Sequence, residues 1–247
     1  MTSRAESDRL SDDRLRASSC ELNRAIHRAG LVTMSFGNAS VLDVAAGVMA
    51  IKPSGVPCDE VTPEQIVVVD LQGDTARPHH LRASSDAATH LVLYHDLPDI
   101  GAVIHTHSPH ATSWAQARRS IPCFGTTHAD HFGGEVPVTR PLAPDEIDDN
   151  YTGNTGRAIA DLFGSGKIDS GRVPAALVAG HGPFVWGRDS LSALANAIAL
   201  EAVAHMAIMT LQIDPSSEPL DPGLLERHFT RKHGPGASYG QARGFSR

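Results

Sequence analysis

The sequence lacks the features that mark secreted proteins and nucleic-acid-binding proteins. Its 247 residues include only three cysteines, Cys20, Cys58 and Cys123, which lie far apart and form no Cys-x-x-Cys pair. Such a set argues against a disulfide framework and indicates free thiols in a reducing compartment, so we expect a cytoplasmic protein. The net charge is −7 and no cluster of Lys and Arg is present, so we expect no nucleic-acid partner.

Several other sequence signals are absent. There is no Walker A pattern, no Gly-x-Gly-x-x-Gly after a strand and no Gly-x-Ser-x-Gly, so nucleotide binding and a serine nucleophile have no support. Residues 1–16 lack the apolar core of a signal peptide. Residues 191–213 are long enough to span a bilayer, but Asn196, Glu201 and His205 interrupt them. We interpret this segment as a buried helix and expect no membrane partner.

The chain shows no internal repeat, low-complexity run or linker, and its length fits one domain over residues 1–247. Strands are predicted at 41–43, 48–51, 66–71, 102–107, 175–178 and 184–186. Helices are predicted at 9–28, from Ser85 to before Pro98, at 109–117, at 144–163 with a break near Gly153, and at 190–211. We expect residues 1–8 to be a frayed terminus and 221–247 a polar tail. This order predicts a single α/β domain with a central, mostly antiparallel sheet flanked by helices.

The stretch from Gly101 to Pro109 carries the strongest chemical signal. Side chains two residues apart on a strand share a face, so His105 and His107 would project from the same side, about 6.5–7 Å apart along the backbone. Two such imidazoles can share a metal ion, although a histidine at a strand end is more often structural. A catalytic zinc site needs a third ligand and an open position. His181, between two glycines, and Asp86, at a predicted helix start, are the candidates.

Three short segments have the chemistry of an anion site. Each combines small residues with a hydroxyl, amide or ammonium donor, and the serine pair also opens a predicted helix, whose positive dipole end favours anions. Singly, such segments are more often ordinary turns and caps. Combined with the histidine pair, they predict a phosphate cradle. The segments are Gly37-Asn38, Lys52-Pro53-Ser54-Gly55 and Ser84-Ser85.

The same residues resemble the class II aldolase/adducin family, and the match runs from about Leu31 to Gln241. The motifs that carry it are Gly37-Asn38-Ala39-Ser40, residues 51–56, Ser84-Ser85-Asp86 with Thr89-His90, residues 103–108 and His181-Gly182-Pro183-Phe184. A second set resembles the branch of this family that epimerises pentulose 5-phosphates at C4. It comprises Ser120-Ile121-Pro122, residues 125–130, Arg231-Lys232-His233-Gly234 and Tyr239-Gly240-Gln241.

The resemblance implies a homotetramer with a divalent metal, usually Zn²⁺ but also Mn²⁺ or Co²⁺, and active sites at subunit interfaces. It implies His105, His107 and His181 as metal ligands, with Asp86 as a possible fourth. It assigns Asp130 and Tyr239 as the acid/base pair from the adjacent subunit. Tyr239 belongs to the C-terminal tail. Substrate contacts are implied for ten residues: Gly37, Asn38, Lys52, Ser54, Gly55, Ser84, Ser85, Thr126, His228 and Arg231.

The reaction implied is interconversion of L-ribulose 5-phosphate and D-xylulose 5-phosphate by retro-aldol cleavage at C3–C4 and re-addition, as in pentose catabolism such as that of arabinose. Related aldolases usually carry Glu at the Asp86 position, which favours the epimerase. Thr152 stands where the pattern of the resemblance has Glu, so we expect an effect on substrate orientation or rate. One alternative is a class II aldolase that cleaves another sugar phosphate. Another is a binding or scaffolding domain, as in adducin-like members without the metal ligands.

Overall fold

The computed structural model describes residues 4–77, 79–164, 166, 168–234 and 237, and within them it has one six-stranded sheet and seven α-helices. The strands are β1 (Asn38–Asp43), β2 (Val48–Ile51), β3 (Val67–Asp70), β4 (Ala102–His105), β5 (Ala175–Leu177) and β6 (Pro183–Gly187). The helices are α1 (Arg4–Arg28), α2 (Ala87–Asp96), α3 (Pro109–Gln116), α4 (Thr126–Ala129), α5 (Pro144–Gly164), α6 (Ser190–Ile213) and α7 (Pro222–His233).

The sheet has the order β3-β2-β1-β4-β6-β5, and every neighbouring pair is antiparallel. Strand β2 lies between β1 and β3, so these three strands are neighbours in chain order, while β4 pairs with the other side of β1 after helix α2. In the β1–β4 ladder, Asn38 pairs with His105 and Ser40 with Val103. The predicted α/β fold with a mostly antiparallel sheet is confirmed.

Helices cover both faces of this sheet, so there is a hydrophobic core on each face. Successive side chains of β4 point alternately into one core and the other. Ala102 and Ile104 join the core under α1, α3 and α6. Val103 lies on the opposite face, in the core under α2 and α5, and His105 stacks there on Phe184 with ring centroids 4.3 Å apart. Because successive strand residues point to opposite faces, the histidine that ends β4 faces α2 and α5.

Helix α6 has the length and composition of a membrane-crossing helix. One face packs on the sheet and on α3, with Ala193, Ala197 and Leu200 in the core, so the predicted burial holds for this face of the helix. Its other face carries exposed apolar side chains, among them Met206 and Ile213.

Several boundaries differ from the sequence prediction. Helix α1 begins at Arg4, so residues 4–8 are helical rather than frayed, and β1 already begins at Asn38, which was expected in a turn. The residue before α2 is Asp86, not Ser84 or Ser85. The break in α5 is at Asn150, whose φ of −148° is not helical and whose Oδ1 accepts a hydrogen bond from the Gly153 N–H. Asn150 thus acts as the N-cap of a second helical segment.

Candidate metal and active site

Three histidines from two separate parts of the chain meet where β4 ends and β6 begins. His105 is the last residue of β4, and His107 follows in the turn before α3. His181 lies in the turn between β5 and β6, where Gly180 has a φ of 76° and the His181 N–H donates to the Val178 carbonyl. A Cβ at Gly182 would lie 2.8 Å from the Thr106 carbonyl oxygen, so only glycine lets this turn approach the histidine segment so closely.

The three imidazoles form a compact cluster. One ligand nitrogen of each lies within 4.8 Å of the others, and the Nε2 atoms of His105 and His107 are 3.1 Å apart. Two nitrogens bound to one tetrahedral zinc ion at about 2.0–2.1 Å would be roughly 3.3 Å apart, so the observed spacing fits a shared metal. His105 is buried, whereas His107 is exposed. The cluster is therefore accessible to solvent on the His107 side.

The tautomer of His105 is set by its surroundings. Its Nδ1 lies 3.0 Å from the Pro183 carbonyl oxygen, which can only accept, so Nδ1 carries the proton and Nε2 presents a lone pair to the cluster. Such a hydrogen bond from the outer nitrogen is the usual way a metal-binding imidazole is oriented. The donor set of three histidines with one accessible ligand therefore fits a catalytic divalent metal.

Burial keeps these imidazoles neutral, as metal binding requires. Desolvation lowers the pKa of His105 to about 3, and it also lowers the pKa values of His107 and His181. The nearby Asp86 charge acts in the opposite direction on all three. At neutral pH each ring therefore has a lone pair to offer without first losing a proton.

Asp86 lies beside the cluster and is held by Asn38. The Asn38 side-chain amide donates to Asp86 Oδ2 at 2.7 Å, and the Asp86 N–H donates to Ser84 Oγ at 3.3 Å. Although burial alone would raise its pKa, the neighbouring imidazoles and the Asn38 hydrogen bond hold the pKa of Asp86 below its usual value. Asp86 is outside the group of three whose ligand atoms lie within 4.8 Å. Its part as a fourth ligand stays a prediction.

The three expected phosphate segments are drawn together around Asp86. Ser54 N–H donates to the Arg82 carbonyl and Ser84 N–H to the Lys52 carbonyl, so two of the three segments are tied to each other. Those two N–H groups are therefore used internally, and the exposed Ser54 and Ser85 hydroxyls are among the donors left for a ligand. The third segment joins through the contact between Asn38 and Asp86.

Lys52 lies beneath this region. Its side chain is 2% exposed, and its ammonium donates to the Val56 carbonyl at 2.6 Å and the Pro53 carbonyl at 3.2 Å. Burial lowers its pKa, and the Cys58 thiol and Asp86 oppose that shift. The ammonium therefore braces the 53–56 turn and adds a positive charge next to the predicted phosphate positions.

A second cluster contains four of the predicted site residues. Asp130, at the end of α4, accepts from His228 Nδ1 at 3.1 Å and from both Arg231 Nη2 and Nε. Thr126 begins α4, and its carbonyl accepts from the Asp130 N–H. Burial alone would raise the pKa of Asp130, but the Arg231 and His228 contacts hold it below the usual range. The structure thus joins Asp130, His228 and Arg231, and it adds His233, whose Nε2 contacts the Asp130 carbonyl.

The two clusters are carried by different layers of the protein. The Asp130 cluster is built on α4 and α7, and α4 packs on α6, on one face of the sheet. The histidine cluster faces the α2 and α5 side of the sheet. Tyr239, the predicted partner of Asp130, lies outside the described residues.

Two features of the site escaped the sequence analysis. The Tyr151 hydroxyl lies 3.4 Å from His181 Nδ1, where it can orient that ring, and burial followed by the Asp86 charge raises its pKa. A buried chain of Ser40, His90 and Tyr94 lies directly behind the cluster. The sequence signal for this row of side chains was the four-residue spacing of Asp86, His90 and Tyr94, which places them on one face of a helix, opposite the polar Ser40 of β1.

Comparison with known proteins identifies the family. A model of the class II aldolase and adducin N-terminal domain matches residues 17–208, and the chain belongs to this family. Among curated relatives, it is 45% identical over 221 residues to the L-ribulose-5-phosphate 4-epimerase UlaF of Salmonella paratyphi B. That match covers 90% of this chain and 96% of the relative.

Solved structures agree on the fold. An L-fuculose 1-phosphate aldolase superposes with a TM-score of 0.73 at 24% identity, covering 87% of this chain and 94% of the other. An aldolase II superfamily protein from Pseudomonas syringae gives a TM-score of 0.72 at 17% identity, covering 92% and 88%. At these identities the likeness establishes the architecture and leaves the reaction to the site residues.

Proposed function

We propose that this protein is a metal-dependent epimerase that interconverts L-ribulose 5-phosphate and D-xylulose 5-phosphate. The observation that carries the proposal is the 45% identity to an L-ribulose-5-phosphate 4-epimerase over 96% of that protein's length. The compact cluster of His105, His107 and His181 supports the metal dependence. The reaction proposed is cleavage of the C3–C4 bond followed by re-addition to the opposite face of the aldehyde.

His105, His107 and His181 would hold the metal, with Asp86 beside them. A divalent ion there supplies Lewis-acid stabilisation of the negative charge that develops on the three-carbon fragment. His105 keeps its Nδ1–H on the Pro183 carbonyl, so its Nε2 lone pair stays aimed at the site. The ionised Asp86 and the three neutral imidazoles make a donor set of one negative charge, which leaves a bound divalent ion with net positive charge for the substrate.

The remaining residues of the chain hold the two ends of the substrate. The hydroxyls of Ser54 and Ser85, with the Lys52 charge below, would bind the phosphate and keep the aldehyde fragment in place while it turns. Asp130 and Tyr239 would move the proton at the C4 oxygen, one on each side of it. Arg231 and His228 would keep Asp130 ionised and oriented before it accepts that proton.

We propose further that the active site is shared between subunits of a homotetramer. The placement of the Asp130 cluster and the histidine cluster on opposite sides of the sheet supports this arrangement. The outer face of α6 supports it as well, because Ile198, Met206, Met209 and Ile213 are 45–82% exposed. Beside them lies a cavity of about 430 Å³ bordered by Phe124 and Pro122. An exposed apolar band of this kind is typical of a subunit interface.

The test is a proton NMR time course with L-ribulose 5-phosphate. Metal-loaded protein is expected to form D-xylulose 5-phosphate, and chelator-treated protein is expected to be inactive until Zn²⁺, Mn²⁺ or Co²⁺ is added back. Release of free dihydroxyacetone would instead identify an aldolase. No turnover by the metal-loaded protein would contradict the proposal.

The variant Asp130→Asn tests the proposed acid/base role of Asp130. It keeps the size and the contact geometry of the side chain but removes the charge that accepts a proton. We expect kcat to fall by a factor of about 10²–10⁴ while the bound metal content is unchanged. An active Asp130→Asn enzyme would remove Asp130 from the mechanism and leave the metal-dependent step standing.

A further inference from the structure

A column of polar side chains runs between helix α2 and strand β1; Asn38, Ser40 and His90 are buried, and Asp86 and Tyr94 are partly buried. On α2 it consists of Asp86, His90 and Tyr94, spaced by four residues so that they lie along one face. On β1 it consists of Asn38 and Ser40, spaced by two residues so that they also share a face. The Asp86 end of the column lies at the histidine cluster.

Three hydrogen bonds connect the two sides. Asn38 donates to Asp86 Oδ2 at 2.7 Å. Ser40 Oγ lies 2.7 Å from His90 Nδ1 and 2.8 Å from the Tyr94 hydroxyl. The single hydroxyl of Ser40 therefore links two successive turns of α2 to the central strand pair, at the register that also sets Asn38 opposite His105.

His90 stands out within this column. It is fully buried, and among the described residues its Nε2 has no hydrogen-bond partner. Burying an imidazole with one unsatisfied nitrogen is unfavourable, and an apolar ring would fill the same volume without that cost. Burial lowers its pKa to about 4, and the Asp86 charge opposes that shift, so the ring is neutral at neutral pH and close enough to sense Asp86.

His90 also reaches the metal ligands by packing. Its ring meets the Phe184 ring edge to face, with centroids 5.8 Å apart, and Phe184 stacks on His105 at 4.3 Å. A hydrogen bond on one side and an aromatic contact on the other fix both the rotation of α2 and its distance from the sheet. Asp86 lies one turn before His90, and the His90 N–H donates to the Asp86 carbonyl at 3.1 Å. Fixing His90 therefore also fixes the backbone of Asp86.

We propose that His90 is a positioning residue for Asp86: through Ser40 and Phe184 it fixes helix α2 so that the Asp86 carboxylate faces the three-histidine cluster. The proposal builds on the metal site of the proposed function but does not depend on the substrate. Its prediction is that the contribution of His90 to metal binding is made through Asp86.

The experiment is a double-mutant cycle on the affinity for Co²⁺, measured by competition with a chelator. The variants are His90→Phe, which keeps the aromatic packing but loses the Ser40 contact, Asp86→Asn, and the two combined. Groups hydrogen-bonded directly to a metal ligand are worth about 10- to 100-fold in metal affinity. Because His90 acts on Asp86 through helix α2, we expect His90→Phe alone to weaken binding by about tenfold, the lower end of that range. In the Asp86→Asn background the same change should have less than a twofold effect, because the two residues act as one unit.

His95→Phe is the matched control, since it makes the same substitution at an exposed position five residues later on α2, where the ring contacts the Leu71 carbonyl instead of Ser40. It should leave Co²⁺ affinity within twofold. His90→Asn places an amide near the Nδ1 position and is expected to restore part of the lost affinity. The visible spectrum of bound Co²⁺, which reports coordination geometry, should change in His90→Phe but not in His95→Phe.

The outcomes separate this proposal from the proposed function. Equal losses from His90→Phe with and without Asp86→Asn, or no loss at all, would overturn the positioning role even if the enzyme epimerises its substrate. Non-additive losses in a protein without epimerase activity would support the positioning role and reject the epimerase. A urea unfolding curve for each variant, collected without metal, ensures that the affinities compare folded proteins.

Discussion

Single residues around the histidine cluster are constrained by backbone geometry as much as by chemistry. Gly37 precedes Asn38 and has a φ of 103°, and a Cβ there would lie 2.8 Å from the carbonyl oxygen of His105. The glycine thus allows β1 to start directly against the metal-binding end of β4. Any side chain at this position would push the two strand ends apart.

Gly37→Ala is therefore expected to weaken both stability and metal binding. A left-handed φ alone costs roughly 1–2 kcal/mol, and the clash with His105 adds to it and displaces a ligand. Gly47→Ala is the control, since Gly47 has a φ of 65° but a Cβ there meets no atom within 4 Å. Urea unfolding should show a loss for both variants, and chelator competition a weaker metal affinity for Gly37→Ala alone. Equal metal affinities in the two variants would contradict the role given to the close approach.

Buried histidines also set the acid stability of the protein. His128 is almost fully buried with its Nε2 at 2.8 Å from the Gly134 carbonyl, and burial lowers its pKa to about 4. An unfolded histidine has a pKa near 6.5, so between about pH 6.5 and 4 the unfolded state binds more protons than the folded state. His128 thus stabilises the fold above pH 6.5, and about 3 kcal/mol of that is lost as the pH falls to 4.

His128→Gln should flatten this dependence. The Gln amide can still donate to the Gly134 carbonyl but does not titrate, so the variant should lose less stability than the wild type when metal-free protein is taken from pH 7 to pH 5. Over that interval the difference is expected to be about 2 kcal/mol, read from urea midpoints at the two pH values. Parallel losses in the two proteins would show that His128 is not one of the titrating groups.

Among the elements, helices α2 and α5 pack unusually closely. A Cβ at Gly156 would lie 2.7 Å from Val92 Cβ and 3.1 Å from the Thr89 carbonyl oxygen, so the two helices touch almost backbone to backbone. The Thr89 hydroxyl donates to the Thr152 carbonyl at 2.6 Å just before this contact. The pair is a closely packed unit that brings Asp86, just before α2, and Tyr151, in α5, to the same end, beside the histidine cluster.

Gly156→Ala should force this unit apart. Overpacking of this kind costs about 1–3 kcal/mol, which outweighs the gain of roughly 1 kcal/mol from replacing a helical glycine by alanine. Gly164→Ala in the same helix has no atom within 4 Å of the added Cβ and should be neutral or slightly stabilising. Thermal or urea unfolding of the two variants checks the sign of each effect. A stabilised Gly156→Ala protein would mean that the helices can separate at no cost.

The elements also show what could be predicted from the sequence. The strand carrying His105, the buried helix α6 and the antiparallel sheet followed from apolar patterns, because their periodicity reflects burial on one or two faces. Helix α7 was missed because Phe229 is its only buried residue among those described, so it has almost no apolar stripe. Its start was nevertheless encoded: the Asp221 carboxylate accepts from the Gly223 and Leu224 N–H groups, and Pro222 occupies the first turn.

Some residues of the candidate site could be predicted from the local sequence, and others could not. His105, His107 and His181 could be chosen from local spacing and flanking glycines, although the distance between them could not. The pairing of Asp130 with His228 and Arg231 spans about a hundred residues and was expected only from a family resemblance. The link from Ser40 to His90 had no sequence signal strong enough to separate it from core packing, because its function depends on which turn of α2 faces β1.

For the whole molecule, the shared site proposed above implies that one chain does not make a complete active site. Each subunit contributes a histidine cluster on one side of its sheet and an Asp130 cluster on the other. If neighbouring subunits combine them, two different inactive variants can restore each other's sites when they assemble together.

Mixing His107→Ala with Asp130→Asn should therefore recover activity. In a mixed tetramer, some sites combine the metal-binding histidines of an Asp130→Asn chain with the Asp130 of a His107→Ala chain. Such a site has every group intact. Random assembly of equal amounts gives about a quarter of sites of this kind, so activity should approach roughly a quarter of the wild-type value. The two proteins are unfolded together in urea and refolded, and samples refolded separately and then mixed serve as the control. Activity that stays at the level of the separate variants would mean that each chain builds its site alone, with the Asp130 cluster serving another purpose.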